Sequence, residues 1–182
     1  MRTLQETLLA PGIRPQVIAD CETLVDREVS DMSGVTGTAV RLAYKTVRTF
    51  DAGHIRAMIE TILPSVAEAL QPYWDKFSAE SAGNGDFAGY LASHEDEVAE
   101  ALLAITDSRQ RASSRATIVK AYKTVRGSAV KHVKAALPAL GALVQKYMAL
   151  DARAGRVPVR SFAYVFQVPQ FQLMLQGSVR TL

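Results

Sequence analysis

The sequence contains 182 residues, of which 48% are hydrophobic and 21% are charged, and its formal net charge is +3. This composition is typical of a soluble globular protein, and no apolar run approaches the roughly 18–20 residues of a membrane-spanning helix. The single cysteine, Cys21, excludes an internal disulfide, and the first residues lack the apolar stretch of a signal peptide. We therefore expect a cytoplasmic protein with one domain, or with two small domains that share a core.

Apolar residues recur at helical spacing in the first half of the chain. The segments 17–25, 40–50 and 55–77 each place their apolar residues on one helical face, and the third carries the longest stripe. These segments are predicted to be helices, and the third is predicted to be the spine of the core. Small polar residues and glycine at 78–86 then predict a linker.

The second half of the chain shows the same spacing. Its apolar residues at 98–105, 118–125 and 133–147 predict three further helices. Pro64 and Pro138 occupy corresponding positions in the two third helices. Because a proline removes one backbone hydrogen bond and collides with the preceding turn, we expect a kink or a break at both.

The hexapeptide AYKTVR occurs twice, at 43–48 and at 121–126. The similarity extends beyond it, since ILPSVAEAL at 62–70 corresponds to ALPALGALV at 136–144 once the first copy has gained four residues. Self-similarity that extends over several segments is typical of a duplicated unit. Because only two copies occur, a closed bundle is favoured over a long solenoid.

These patterns predict an all-α fold, a compact helical bundle built from two repeated three-helix units. The predicted organisation is a single helical domain at 1–150, with repeat unit one at 1–80 and repeat unit two at 86–150.

The C-terminal residues, 151–182, break the helical pattern and are predicted to be an irregular or strand-like tail. Apolar residues alternate with others at 162–168 and at 171–175, and Pro158 and Pro169 punctuate them, which indicates short strands. An exposed strand this apolar is an aggregation hazard, so docking on the bundle is favoured. Pairing with another copy and a loose tail are the alternatives.

The repeated hexapeptide has two interpretations. On a helix, Ala43, Tyr44 and Val47 face inward, whereas Lys45 and Arg48 lie on the opposite side. The favoured interpretation is structural, because an amphipathic helix at the centre of a bundle needs a charged outer face. The alternative is that the Tyr-Lys-x-x-Arg pattern binds an anion.

The charges are distributed unevenly along the chain. Residues 1–107 contain 17 acids and 8 bases, whereas residues 108–182 contain 1 acid and 13 bases. Three explanations stay open: pairing of acidic with basic helices inside the molecule, self-assembly, and an external polyanion. Internal pairing, which is favoured, requires the bases to face Glu95, Glu97 and Glu100. The candidate anion-binding residues are Lys45, Arg48, Lys120, Lys123, Arg126, Lys131 and Lys134.

Signatures of catalysis and of cofactor or metal binding are not found in the sequence. His54, His94 and His132 are scattered and lack the ligand spacing of a metal site, and Cys21 falls on an apolar face. We therefore predict no catalytic, cofactor-binding or metal-binding residues and no cofactor.

The third helix of the first half offers one further candidate site. It carries Met58, Tyr73, Trp74 and Phe77, which are predicted to line a cavity if the bundle core binds an apolar ligand. A stripe of this kind more often belongs to an ordinary core.

Eight segments, in this order, extend over most of the chain. They are LLAPGIRPQVIADCETLVD, SGVTGTAV, AYKTVR, ILPSVAEALQPYW, GDFAGYL, ALLAITDSR, SSRATIVKAYKTVR and AALPALGALVQKY.

This order of segments resembles a family of uncharacterised all-helical actinobacterial proteins, over roughly residues 1–150. The resemblance implies a helical fold and carries no catalytic residue. Together with the patterns above, it favours a non-catalytic interaction or scaffold protein without membrane insertion, and a homo-oligomer is a candidate assembly. The alternatives are binding of an anionic partner, either nucleic acid or an acidic protein, through the basic helices 109–134, and binding of a small apolar ligand in the bundle core.

Overall fold

In the computed structural model of the protein, the residues that the structure describes are 2–50, 53–81, 85–111 and 116–154. These ranges contain seven α-helices and no strand, so the predicted all-α fold is confirmed for the described part of the chain. The helices are α1 (Leu4–Leu8), α2 (Arg14–Asp31), α3 (Gly34–Phe50), α4 (His54–Ser81), α5 (Phe87–Ser93), α6 (Glu95–Arg111) and α7 (Ala116–Ala154).

The predicted helices correspond to α2, α3, α4 and α6, whereas the last two predicted helices form the single helix α7. In the first half, α3 ends at Phe50 and α4 begins at His54, and the residue before His54 is Gly53. The corresponding residue before His132 is Lys131, which has a much higher helix propensity than glycine. The second half therefore continues as one helix through this point.

Two of the predicted boundaries are wrong. Helix α4 extends to Ser81, so the predicted linker at 78–86 begins with helical residues. Helix α7 extends to Ala154, so the predicted tail at 151–182 also begins with helical residues. The remaining tail residues, 155–182, lie outside the described part of the chain, and so does their predicted docking.

The internal prolines do not end their helices, so the predicted break at Pro64 and Pro138 does not occur. Pro64 has no N–H to donate to the carbonyl of Glu60, four residues earlier. Arg14 of α2 donates from Nη2 to this Glu60 oxygen at 3.3 Å. A side chain of the neighbouring helix therefore supplies the hydrogen bond that the proline removes, which helps α4 to continue.

The apolar stripe of α4 forms the spine of the core, as predicted. Its residues recur every three or four positions, so they lie on one helical face, and α1, α2, α5 and α6 pack against α4. Complete burial of each large apolar side chain stabilises the fold by roughly 1.5–3 kcal/mol. The buried residues of this face are Ile55, Ile59, Leu63, Ala67, Leu70, Trp74 and Phe77.

An aromatic cluster joins the C-terminal half of α4 to the short helix α5. The ring of Phe87 lies edge-on to Trp74, with the centroids 5.0 Å apart, and 5.1 Å from the ring of Phe77. Tyr90 extends the cluster at 5.6 Å from Phe77. Such tilted and edge-on pairs are favourable for aromatic rings, and they fix α5 on the end of α4.

The two short helices, α1 and α5, are anchored by equivalent glutamines. Gln71 of α4 accepts from the backbone N–H of Leu4 at 2.7 Å, and Gln145 of α7 accepts from that of Phe87 at 2.9 Å. Gln145 also donates from Nε2 to the carbonyl of Gly85 at 2.8 Å. Both glutamines therefore satisfy the first backbone N–H of a helix that is too short to be stable alone.

Helices α5 and α7 approach each other most closely at Gly141, which is buried. A Cβ atom at this position would lie 2.7 Å from the Cα atom of Ala88 and 3.1 Å from the carbonyl oxygen of Phe87. Both of these atoms belong to backbone, which cannot move aside as a flexible side chain can. The absence of a side chain at Gly141 is therefore a requirement of this packing.

We expect Gly141→Ala to lower the free energy of unfolding by about 1–3 kcal/mol, because the added methyl group forces α5 and α7 apart. Urea unfolding followed by circular dichroism measures the change. The control is Gly12→Ala, whose added Cβ would meet nothing within 4 Å. Unfolding midpoints that are the same for both variants would contradict the close approach of the two helices.

Candidate functional site

An apolar cavity lies at the centre of the bundle, between α2, α4, α6 and α7, and it is partly open to solvent. Its volume is about 300 Å³. Helix α2 contributes Val17, Cys21 and Val25 to the wall, and α7 contributes Ala136 and Leu140. The remaining wall is made of aliphatic side chains on α1, α4 and α6 and of further aliphatic side chains on α2 and α7, apart from one threonine on α6. The volume is within the range of small-molecule sites, at its lower end.

The wall of the cavity contains very few polar atoms. Among the described residues that line it, only Cys21 and Thr106 carry a polar side-chain atom, and Thr106 donates its hydroxyl to the carbonyl of Leu103 at 2.8 Å. Burial, with a smaller contribution from Asp20, raises the pKa of the Cys21 thiol to about 11. The thiol is therefore protonated at neutral pH, and the wall is suited to hydrocarbon and not to water, which needs two to four polar partners.

The residues predicted to line such a cavity lie elsewhere. Met58 is exposed to 42%, and Trp74 and Phe77 belong to the aromatic cluster at the other end of α4. Neither these three residues nor Tyr73 line the cavity. Bulky rings fill the space around the C-terminal half of α4, whereas smaller aliphatic side chains leave a gap around its N-terminal half.

A second concave site, which we call the basic cleft, lies between α2 and α3 and has a volume of about 390 Å³. Asp26 of α2 accepts from the hydroxyl of Tyr44 at 2.5 Å and forms an ion pair with Arg48 through its other oxygen. The cleft thus brings the two predicted anion-binding residues of the first hexapeptide together. Its lining residues are Asp26, Val29, Ser30, Arg41, Tyr44, Lys45 and Arg48.

Positive charge exceeds negative charge in the basic cleft. The described acceptors of Arg41 are neutral, the carbonyl of Ser30 at 3.5 Å and the hydroxyl of Thr38 at 3.2 Å. Lys45 is exposed. Burial and the hydrogen bond to Asp26 raise the pKa of Tyr44 to about 12, so its hydroxyl stays protonated. Among the described residues that line the cleft, Asp26 alone carries a carboxylate.

Basic residues of α7 form ion pairs with acidic residues of α6. Arg126 donates from Nη2 to Asp107 at 2.8 Å and to Glu100 at 2.9 Å, and these two hydrogen bonds raise its pKa. Lys134 contacts Asp96 and also Glu95, at 3.3 Å from the latter, and its pKa is likewise raised. These pairs are the arrangement expected from internal pairing of an acidic helix with a basic one.

Lys131, the other described candidate of α7, is not part of these pairs. Lys131 is exposed. Lys120 and Lys123 lie outside the described side chains, so their predicted role stays a prediction.

The two hexapeptides make the same contact through their arginines. Arg48 ends the first hexapeptide and pairs with Asp26 of the preceding helix, and Arg126 ends the second and pairs with Asp107 of the helix before it. In the sequence match, Asp107 corresponds to Asp26. The repeated hexapeptide thus includes an arginine that links each copy to its preceding helix through an ion pair.

Asp20 connects α2 with α7 beside the cavity. It accepts from Lys146 Nζ at 2.6 Å and from the hydroxyl of Tyr147, a residue only 2% exposed, at 2.7 Å. The hydrogen bond from Lys146, followed by that from Tyr147, holds the pKa of Asp20 below its ordinary value. Burial, together with Asp20, raises the pKa of Tyr147. This contact fixes α2 against α7 next to Cys21, which lines the cavity.

The histidines are not brought together. His54 is exposed, His132 is half-buried, and Nδ1 of His94 lies 2.9 Å from the carbonyl oxygen of Tyr90. Within the described ranges, no three His, Cys, Asp or Glu side chains are grouped so that they could hold a metal ion. None of the helices in these ranges combines the length and hydrophobicity that crossing a membrane requires.

The all-helical part of the chain coincides with a known family. Residues 4–148 match the family described as Family of unknown function (DUF6918). The chain belongs to this family. No curated protein and no solved structure is detectably similar to the chain. The family match includes the cavity, the basic cleft and the ion pairs between α6 and α7, and it ends before Asp151.

We expect Asp20→Asn to lower the free energy of unfolding at neutral pH by about 1–2 kcal/mol, because the hydroxyl of Tyr147 and the ammonium of Lys146 lose a charged acceptor. The pKa of Asp20 is lowered in the folded state. Its contribution to the free energy of unfolding is therefore complete above its ordinary pKa of 3.8 and is lost as the pH falls through the pKa of the folded state. Urea unfolding at a series of pH values tests both expectations.

The control for this experiment is Asp151→Asn, which removes the acceptor of the exposed Arg2. Asp151→Asn should lower the free energy of unfolding by less than about 0.5 kcal/mol, as is usual when a surface ion pair is removed. A difference between wild type and Asp20→Asn that does not narrow at low pH would contradict the proposed role of the Asp20 charge.

Proposed function

We propose that this protein binds a small apolar molecule in the central cavity. The observation that carries the proposal is an apolar void of about 300 Å³ among four helices of the core. Protein cores are normally packed without voids much larger than a water molecule. The aliphatic side chains around the void therefore have fewer contacts than close packing would give them.

The size and chemistry of the cavity suit a hydrocarbon ligand. An engineered apolar cavity of about 150 Å³ stays dry and binds benzene, so a volume about twice as large accepts a larger ligand. A ligand that fills the void gains contacts with aliphatic side chains without displacing protein hydrogen bonds, because the polar atoms of the wall are already bonded or buried as a neutral thiol.

The other predicted roles stay proposals of lower rank. Among the described side chains, the exposed large apolar residues Leu42, Met58 and Leu150 lie on three different helices, which gives a scaffold or a homo-oligomer less support than the cavity gives a ligand. The cytoplasmic location, the non-catalytic nature of the protein and the actinobacterial range of the family remain predictions from the sequence.

We also propose that the bundle arose from a duplicated unit. Two contacts at matched positions support this proposal. The first is the arginine–aspartate pair, formed by Arg48 in one half and by Arg126 in the other. The second is the glutamine that caps a short helix, Gln71 in one half and Gln145 in the other.

The apolar-ligand proposal is tested with N-phenylnaphthylamine, a neutral probe whose fluorescence rises in apolar surroundings, and with decanol as the competitor. We expect the wild-type protein to bind the probe and decanol to displace it. Saturating decanol should also raise the thermal unfolding midpoint, since a ligand at a hundred times its Kd stabilises the native state by about 2.7 kcal/mol.

The decisive variant is Ala136→Phe, which places a ring inside the cavity. It should weaken probe binding by about tenfold or more, which corresponds to about 1.4 kcal/mol. The matched control is Ala135→Phe, since Ala135 is the exposed neighbour on the same helix. Absence of probe binding in the wild type, or equal binding by both variants, would overturn the proposal.

A further inference from the structure

The central cavity and the basic cleft are neighbours along α2. Leu24 and Val25 line the cavity, whereas Asp26 and Val29 line the cleft. Val25 and Val29 are one helical turn apart, which is about 6 Å along the helix axis. The two sites therefore lie about one helical turn apart along α2, a separation that is short relative to an extended molecule.

Asp26, which supplies the carboxylate of the described cleft lining, already has its partners. One oxygen of Asp26 accepts from Tyr44, and the other is paired with Arg48. The charge of Arg48 is thus compensated within the protein. Arg41 and Lys45 remain, because the hydrogen-bond acceptors of Arg41 are neutral and Lys45 is exposed.

Arg41 and Lys45 are also placed to act together. They lie four residues apart on α3, so their side chains project from the same face of the helix. A guanidinium presents several donors in a planar fork that matches a carboxylate or a phosphate, and an ammonium adds a second cation. The cleft therefore contains the cationic hydrogen-bond donors that an oxyanion needs and that the cavity lacks.

We propose that the ligand is an anionic amphiphile, whose hydrocarbon chain fills the cavity and whose oxyanion headgroup is bound in the cleft by Arg41 and Lys45. This inference rests on the proposed function, because it assigns the chain to the same cavity. It adds the headgroup class, a carboxylate or a phosphate, and the two residues that select for it. A neutral amphiphile of the same length fills the cavity equally well but leaves both cations without a partner.

The test measures displacement of N-phenylnaphthylamine by decanoate and by decanol, which share a chain length and differ in the headgroup. We expect the wild type to bind decanoate about tenfold more tightly than decanol, because a hydrogen bond between charged groups contributes about this much to the affinity. In the double variant Arg41→Gln/Lys45→Gln this preference should disappear, while the affinity for decanol should stay unchanged. Decyl phosphate, tested in the same way, shows which of the two headgroups the cleft prefers.

The matched control is the double variant Lys76→Gln/Arg153→Gln, which removes the same charge from exposed positions that line neither site. It should keep the preference for decanoate. Loss of the preference in this control as well would attribute the effect to overall charge and would overturn the inference.

The remaining outcomes separate the two proposals. If decanol and decanoate bind equally well to the wild type, chain binding in the cavity stands and the headgroup site is overturned. If neither of them binds, the proposed function itself fails. If acetate or inorganic phosphate binds the cleft as tightly as decanoate does, the cleft is a site for free anions, and the inference of an amphiphile is overturned.

Discussion

The rest of the structure depends on the burial of one face of α4. This face carries aliphatic residues in its first half and aromatic residues in its second half, and both parts are covered by other helices. The aromatic half packs densely against α5, with ring centroids about 5 Å apart. The aliphatic half faces α2, α6 and α7 across the cavity. Change in side-chain volume along a single helix thus separates a packed region from one that is open to a ligand.

Electrostatic contacts also differ between the two halves of the bundle. Arg126 and Lys134 of α7 form ion pairs with acidic residues of α6, which follows from a chain that is acidic in its first part and basic in its last. In the first half, a single aspartate serves both Tyr44 and Arg48, so two further cations of α3 are not neutralised in the cleft. Equivalent arginines therefore have different surroundings in the two halves, and only the first half has a described cleft with an excess of positive charge.

Helical spacing was sufficient to predict the all-α fold and the spine of α4, and the charge distribution favoured pairing of the acidic helix α6 with the basic helix α7. Helices α1 and α5 were missed because five and seven residues are too few to show a period. A core cavity was one of the alternatives, but its position and volume could not be predicted, since they depend on the distances between helices and not on any residue type. Lys45 and Arg48 were identified as candidates, whereas Arg41 was missed, although its position four and seven residues earlier places it on the same helical face.

The length of helix α7 affects how a displacement is transmitted through the molecule. Its 39 residues form a rod about 58 Å long at the usual rise per residue. The middle of this rod forms one wall of the cavity, and its C-terminal end is attached to α2 through Asp20 and to the start of the chain through Asp151. A helix of this kind resists bending, so a displacement at Ala136 is transmitted along the rod to Ala154. The position of Ala154, the last described residue of the helix, is therefore coupled to the width of the cavity.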